Sequence, residues 1–228
     1  MKEKFSLRKV GKRPLVFLYA FIYLPWFLTL EHCVKQYYLI ECRLDYIIPF
    51  CEYFIIPYLF WFLFVAMSFI WFLFFEDDKL FYRFAGVMFG GMTIALVIYT
   101  VFPNGIQLRP NLDASKNICT WLTSLIYQAD TATNVFPSLH VYTSAVIGMF
   151  FMRSSLYERK PCICHGICAV SLLIISSTVF LKQHSVLDLA AGFFMAWALC
   201  HAVFVEEEEK QAQNSHQSTG RRRRPVLR

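Results

Sequence analysis

The sequence predicts an all-α protein, a six-transmembrane-helix bundle with an interfacial segment between spans three and four. Three observations lead there. Of the 228 residues, 57% are hydrophobic and only 17% are charged, whereas a soluble domain carries roughly 25% charged residues. The charges gather in clumps with long apolar stretches between them, the pattern of a membrane-embedded chain. Six of those stretches are long enough to cross, or nearly cross, a hydrocarbon layer about 30 Å thick.

The spans run from 14 to 31, 53 to 75, 83 to 103, 136 to 152, 162 to 182 and 185 to 205. Each is expected to be helical, because backbone groups in hydrocarbon find no water to bond. Pro49, Pro57 and Pro103 fall at or near span ends, where a missing N–H does least harm. The first span is followed by Glu31, His32 and Cys33, not by the small residues of a cleavage site, so it reads as a retained helix. Between spans three and four lies a longer segment, 104 to 135. Its centre, "ICTWLTSLIYQAD", is too short to cross and suits an interfacial or re-entrant helix with Trp121 near the headgroups.

This gives a basic N-terminal stretch (1–13), a membrane domain (14–205) and a charged tail (206–228) expected to be disordered. With six spans, one side receives 17 of the 22 lysines and arginines. The positive-inside rule therefore expects both termini in the cytoplasm and a multi-pass protein of the plasma or cytoplasmic membrane. The tail runs from Glu206–Glu209 to Arg221–Arg224 and fits contact with anionic lipid and plain solvation equally well. The basic excess is thus accounted for by the bilayer, with no nucleic-acid partner and no particular oligomeric state implied.

Eight cysteines do not form a disulfide framework. Cys33, Cys42 and Cys51 lie in or beside one loop and could pair in an oxidising space. "CICHGIC" (162–168) matches no standard zinc spacing and opens a hydrophobic run, so its cysteines read as small apolar membrane residues.

A set of polar groups remains, and the span order places them all on the extracytoplasmic side. Arg109 follows span three, Ser138 and His140 open span four, and Lys182, His184 and Asp188 straddle the turn between spans five and six. His184 and Asp188, four apart on a helix, share a face. A carboxylate on one ring nitrogen fixes the tautomer and leaves the other nitrogen as a lone-pair donor able to attack phosphorus. Pro137 and Ser138 start and cap a helix whose first N–H groups favour an anion, and His140 in that turn can pass a proton to a departing alkoxide. Arg109 and Lys182 supply positive charge for phosphate oxygens. Taken singly, each has a plainer reading: an interfacial histidine, a headgroup-anchoring arginine, a snorkelling lysine. Together they point to phosphoryl transfer with no metal or other cofactor required.

The same residues resemble a known family. Arg109-Pro110, "PSLH" (137–140) and "ST-x5-H-x3-D" (177–188) are similar to the three-motif signature of the type-2 phosphatidic acid phosphatase superfamily, over roughly residues 53–205. The resemblance implies a six-helix membrane enzyme working through a phosphohistidine without metal. His184 would be nucleophile, Asp188 its orienting partner and His140 the general acid, with Arg109 and Ser138 binding phosphate. The implied substrate is a lipid phosphate or polyprenyl diphosphate. Three positions depart from the pattern: Phe102 replaces a lysine, Leu139 a glycine and Thr178 an arginine. Lys182, one turn nearer His184, is the candidate replacement for that arginine's charge. "FPSLH" without the arginine also resembles the lipid phosphotransferase branch, which includes inositol phosphorylceramide and sphingomyelin synthases. Two further readings thus stand beside a lipid phosphate phosphatase: a transferase, and a non-enzymatic lipid-binding homologue.

Overall fold

The structure, a computed structural model, describes residues 10–33 and 36–222, with side-chain surroundings through Val205. The architecture is helical: α1 (Ala20–Cys33), α2 (Arg43–Ile47), α3 (Ile55–Phe75), α4 (Asp78–Val101), α5 (Ile118–Ala129), α6 (Leu139–Phe151), α7 (Ser155–Arg159), α8 (Pro161–Phe180) and α9 (Val186–Arg222). Two-residue strands β1 (Tyr38–Leu39) and β2 (Asn104–Gly105) pair in parallel and stitch two loops together.

Among the described residues, five helical stretches are long and apolar enough to cross a membrane: Arg13–Cys33, Glu52–Phe75, Asp78–Val101, Pro161–Phe180 and Val186–Val205. The expected fourth span, 136–152, forms only the 13-residue α6. At 1.5 Å per residue that covers about 20 Å, short of a hydrocarbon core about 30 Å thick. Pro137 and Ser138 delay its start, and the chain leaves it for α7 just after Met152. Its hydrophobicity reflects position: all of its residues except His140 and Met149 are buried, as expected for a helix apolar on every side.

Helix α6 is the axis of the bundle, packed most extensively by α8 and α9, with α3 and α4 on the remaining sides. Aromatic rings fill the space, with Phe72 stacked on Phe84 at 4.2 Å and Phe84 edge-on to Phe150 at 5.4 Å. Gly91 makes the α4–α6 contact possible. A Cβ there would lie 2.0 Å from the Tyr142 ring, whose hydroxyl donates to the Val87 carbonyl. At the opposite end Arg13 is buried, bonded through Nε to Asp78 Oδ1 and through Nη1 to the Leu73 carbonyl, each at 2.6 Å.

The periphery adds two observations. Helix α9 continues to Arg222, so residues 206–222 are helical, in keeping with the strong helix formers Glu, Lys, Gln and Ala that open the tail. Residues 1–9 of the basic N-terminus and the last residues, 223–228, lie outside the described residues. The eight cysteines are all free, Cys33, Cys42 and Cys51 included. Between α4 and α6, α5 is the short helix foreseen there. Asn117 caps it by accepting from the Thr120 N–H at 2.9 Å, and Trp121 is exposed.

Candidate active site

The turn between α8 and α9 carries His184, and local chemistry fixes its path. Helix α8 ends with Lys182 at φ +53°, the left-handed turn that closes many helices, and the N–H groups of Gln183 and His184 both return to the Thr178 carbonyl. Asp45, from the short helix α2, then caps the start of α9. Its Oδ1 accepts from the Val186 N–H and its Oδ2 from the Ser185 hydroxyl, each at 2.7 Å. Asp188, fully buried, accepts from the Ser185 N–H at 2.8 Å and faces His184 Nδ1 at 3.4 Å.

The Asp188 carbonyl also accepts from the Ser138 N–H at 3.2 Å, which ties α9 to the start of α6. Gly192 permits this approach, since a Cβ there would lie 2.6 Å from the Ser138 carbonyl. Ser138 is the N-cap, its Oγ accepting from the Val141 N–H. The chain entering it is held by Asn104, buried, whose Oδ1 accepts from the Val135 and Phe136 N–H groups at 2.9 and 2.7 Å. Tyr99 donates to the Pro137 carbonyl at 2.6 Å.

His140 therefore comes to His184 with ring centroids 5.7 Å apart and planes at 60°. Its ring packs against Tyr58 at 4.7 Å and Trp61 at 4.2 Å, and its Nε2 has no protein partner. Trp61 is fixed in turn by donating to Thr143 Oγ1 at 2.8 Å. Both imidazoles line a cavity of about 420 Å³ whose walls include Tyr23, Phe27, Tyr58, Trp61 and Tyr99 together with Glu31, Asp130, Asn134 and Gln183.

The three groups expected to bind phosphate directly stand behind this cavity and do not line it. The Arg109 guanidinium donates to the carbonyls of Tyr127, Asp130 and Thr131 at 3.2, 2.8 and 2.9 Å, and to Gln183 Oε1. It also lies 4.7 Å from the Tyr127 ring centre. Lys182 turns away and donates to the carbonyls of Asp45 and Ile48. Burial lowers its pKa, while Asp45 opposes the shift. Ser138 is fully buried as a cap. Thr178, at the position of the missing arginine, is buried and bonds the Ile175 carbonyl at 2.7 Å.

Sequence reasoning missed Gln183, Asp45, Asp130 and Glu31. Gln183 had a signal, since it directly precedes His184. Asp130 lies in the loop leading to Pro137. Burial raises the Asp130 pKa, with Arg109 opposing and Glu31 adding to the rise. Asp45 and Glu31 reach the site from α2 and α1, distant in sequence, and gave none.

Two imidazoles on the wall of a cavity, one of them backed by a buried carboxylate, are carried by a bundle of long apolar helices. The model of the PAP2 superfamily matches residues 84–211, more than half of the chain and every motif residue named above. The chain belongs to that superfamily. No curated protein and no solved structure matches it.

Proposed function

We propose that the protein is an integral-membrane, metal-independent enzyme that removes the phosphate group of a lipid phosphate or lipid diphosphate through a covalent intermediate on His184. The observation that carries this reading is the pairing of His140 and His184 at 5.7 Å with Asp188 on the far nitrogen of His184.

Asp188 keeps the proton on Nδ1, so Nε2 of His184 presents its lone pair to phosphorus. As the N–P bond forms, the P–O bond to the lipid alcohol breaks, and His140 gives its proton to the departing oxygen. Water, deprotonated by His140, then attacks phosphorus, the N–P bond breaks, and His184 is regenerated with release of phosphate. The start of α6 contributes the positive end of a helix at His140. Arg109 acts through Gln183, and Ser138 and Lys182 hold the backbone that carries the histidines. The proposed topology has six crossings, α6 being the short one, with both termini cytoplasmic and the active site at the extracytoplasmic face.

The test is phosphate release from lipid phosphates by purified protein in chelator, with acid-labile, alkali-stable label on the protein after quenching. Wild type should give both and His184→Ala neither; turnover retained in that variant would overturn the nucleophile assignment.

A second reading, transfer to a lipid alcohol, has one observation in its favour. Among the described residues no lysine or arginine lines the cavity, which suits a singly charged phosphodiester better than a doubly charged monoester. Labelled lipid products formed with an alcohol acceptor, in place of free phosphate, would identify it.

A further inference from the structure

Two buried amides in the cavity have their orientations set by charged neighbours, and the orientations are opposite. Gln183 is 2% exposed and directs its oxygen to Arg109. A guanidinium only donates, so the oxygen must be the atom facing it, and Nε2 is left without a partner. Asn134 is 6% exposed and donates from Nδ2 to Glu31 Oε1 at 3.2 Å. An ionised carboxylate only accepts, so here Oδ1 is the atom left unpartnered. Buried polar atoms without partners are rare enough that each asks for a ligand atom.

These orphans keep different company. The unpaired Gln183 donor precedes His184 and shares the cavity with both imidazoles. The unpaired Asn134 acceptor accompanies two carboxylates. Glu31 is held by neutral donors, the Thr131 N–H at 3.2 Å, the Thr131 hydroxyl at 2.5 Å and Asn134. Asp130 accepts from the Tyr58 hydroxyl at 3.3 Å. Among the described residues neither carboxylate forms an ion pair; Arg109 acts on Asp130 from beyond that range, Glu31 has no such cation, and aromatic faces stand beside both. One set of groups wants an anion and the other a cation.

We propose that the cavity takes a phosphoester headgroup bearing a primary ammonium, with phosphate at Gln183 and the histidines and ammonium at Glu31, Asp130 and Asn134. A primary ammonium brings three N–H donors, and one of them satisfies Asn134 Oδ1. A quaternary ammonium has none and would leave that oxygen buried and unpaired. Tyr58 and its aromatic neighbours favour either cation by their ring faces. The proposal rests on the second reading above, transfer from a phosphodiester, and within it names the donor as an aminoalkyl phosphodiester lipid.

The experiment measures thermal unfolding of the full chain in nonionic detergent. The titrants are dihexanoyl phosphatidylethanolamine, phosphatidylcholine, phosphatidylglycerol and phosphatidate, and free phosphoethanolamine. Wild type and His184→Ala are compared with Glu31→Gln and Asn134→Gly, the latter suited to φ +57°. Phosphatidylethanolamine should bind at least about tenfold tighter than the other three lipids, and both cavity variants should erase that preference. Equal binding of phosphatidate, phosphatidylglycerol or phosphatidylcholine, no binding of any lipid, or a preference surviving both variants would overturn the proposal. Free phosphoethanolamine binding more tightly than the lipid would overturn the lipid as its source. Turnover separates this from the reading beneath it. Ethanolamine selectivity together with lipid turnover by His184→Ala would sink the phosphohistidine and leave the headgroup assignment standing.

Discussion

His140 and His184 meet with ring centroids 5.7 Å apart because two backbone links hold their helices in register: the Ser138 N–H on the Asp188 carbonyl, and Gly192 beneath the Ser138 carbonyl. The first link joins Asp188, the residue that orients one ring, to the cap of the helix that carries the other. Position and orientation are therefore coupled.

Replacement of Asp188 by Asn should reduce turnover by about 10³–10⁴-fold, the scale on which a histidine loses function when its orienting carboxylate is removed. The Ser185 N–H bond to the side-chain oxygen survives in the variant. A near-native unfolding temperature with collapsed turnover is the expected pair of readouts.

His140→Ala should discriminate between leaving groups. General acid catalysis contributes about 10²–10⁴-fold, and the loss should be large for lipid alcohols and small for nitrophenyl phosphate, whose departing oxygen needs no proton. Equal losses for both would count against an acid role.

Asp45 lies far from the motifs in sequence yet caps α9 through Val186 and Ser185. Asp45→Ala should cost about 0.5–2 kcal/mol, the usual range for a lost cap, visible as a lowered unfolding temperature. Because the same turn carries His184, kcat should fall with it. Asp45→Asn, which keeps one acceptor, should restore part of both.

Asp130 gives a pH test. Burial holds its carboxyl above the ordinary carboxylate value, so the folded protein binds this proton more tightly than the unfolded chain does. That contribution favours folding in acid and is lost as pH rises through the native value. Asp130→Asn should therefore gain unfolding temperature relative to wild type as pH rises above the ordinary carboxylate value, read as the difference between the two melting curves.

Gly91→Ala should destabilise by about 1–3 kcal/mol, the range for overpacking a core. The added methyl meets the Tyr142 ring at 2.0 Å, and that ring is pinned by its hydroxyl bond to Val87. Gly90→Ala, where a Cβ meets nothing within 4 Å, is the control and should melt like wild type.

The long helices were legible because twenty apolar residues in a row have few alternatives. Helix α6 was not, since apolarity alone does not distinguish a helix surrounded by lipid from one surrounded by protein. The motif histidines were readable from spacing: Ser138 caps, and His184 and Asp188 stand one turn apart. The partners of the cations could not be read from the sequence, for a physical reason. Arg109 and Lys182 are positive wherever they lie, but their targets are carbonyls exposed by the ends of α5 and α2, and no sequence pattern marks where a loop leaves carbonyls unpaired. The carboxylates on the cavity wall were invisible likewise. Glu31 reaches Thr131 and Asn134 across a hundred residues of chain.

The brevity of α6 has a consequence for how a lipid must behave. A central rod some 10 Å shorter than the hydrocarbon is thick cannot reach both water layers, while its longer neighbours can. Where the far end of α6 meets its water layer, the His140 imidazole at its first turn sits at the bottom of a well about 10 Å deep. A headgroup must then sink between the taller helices before it reacts, and tails anchored in the bilayer resist that descent less the more freely they bend.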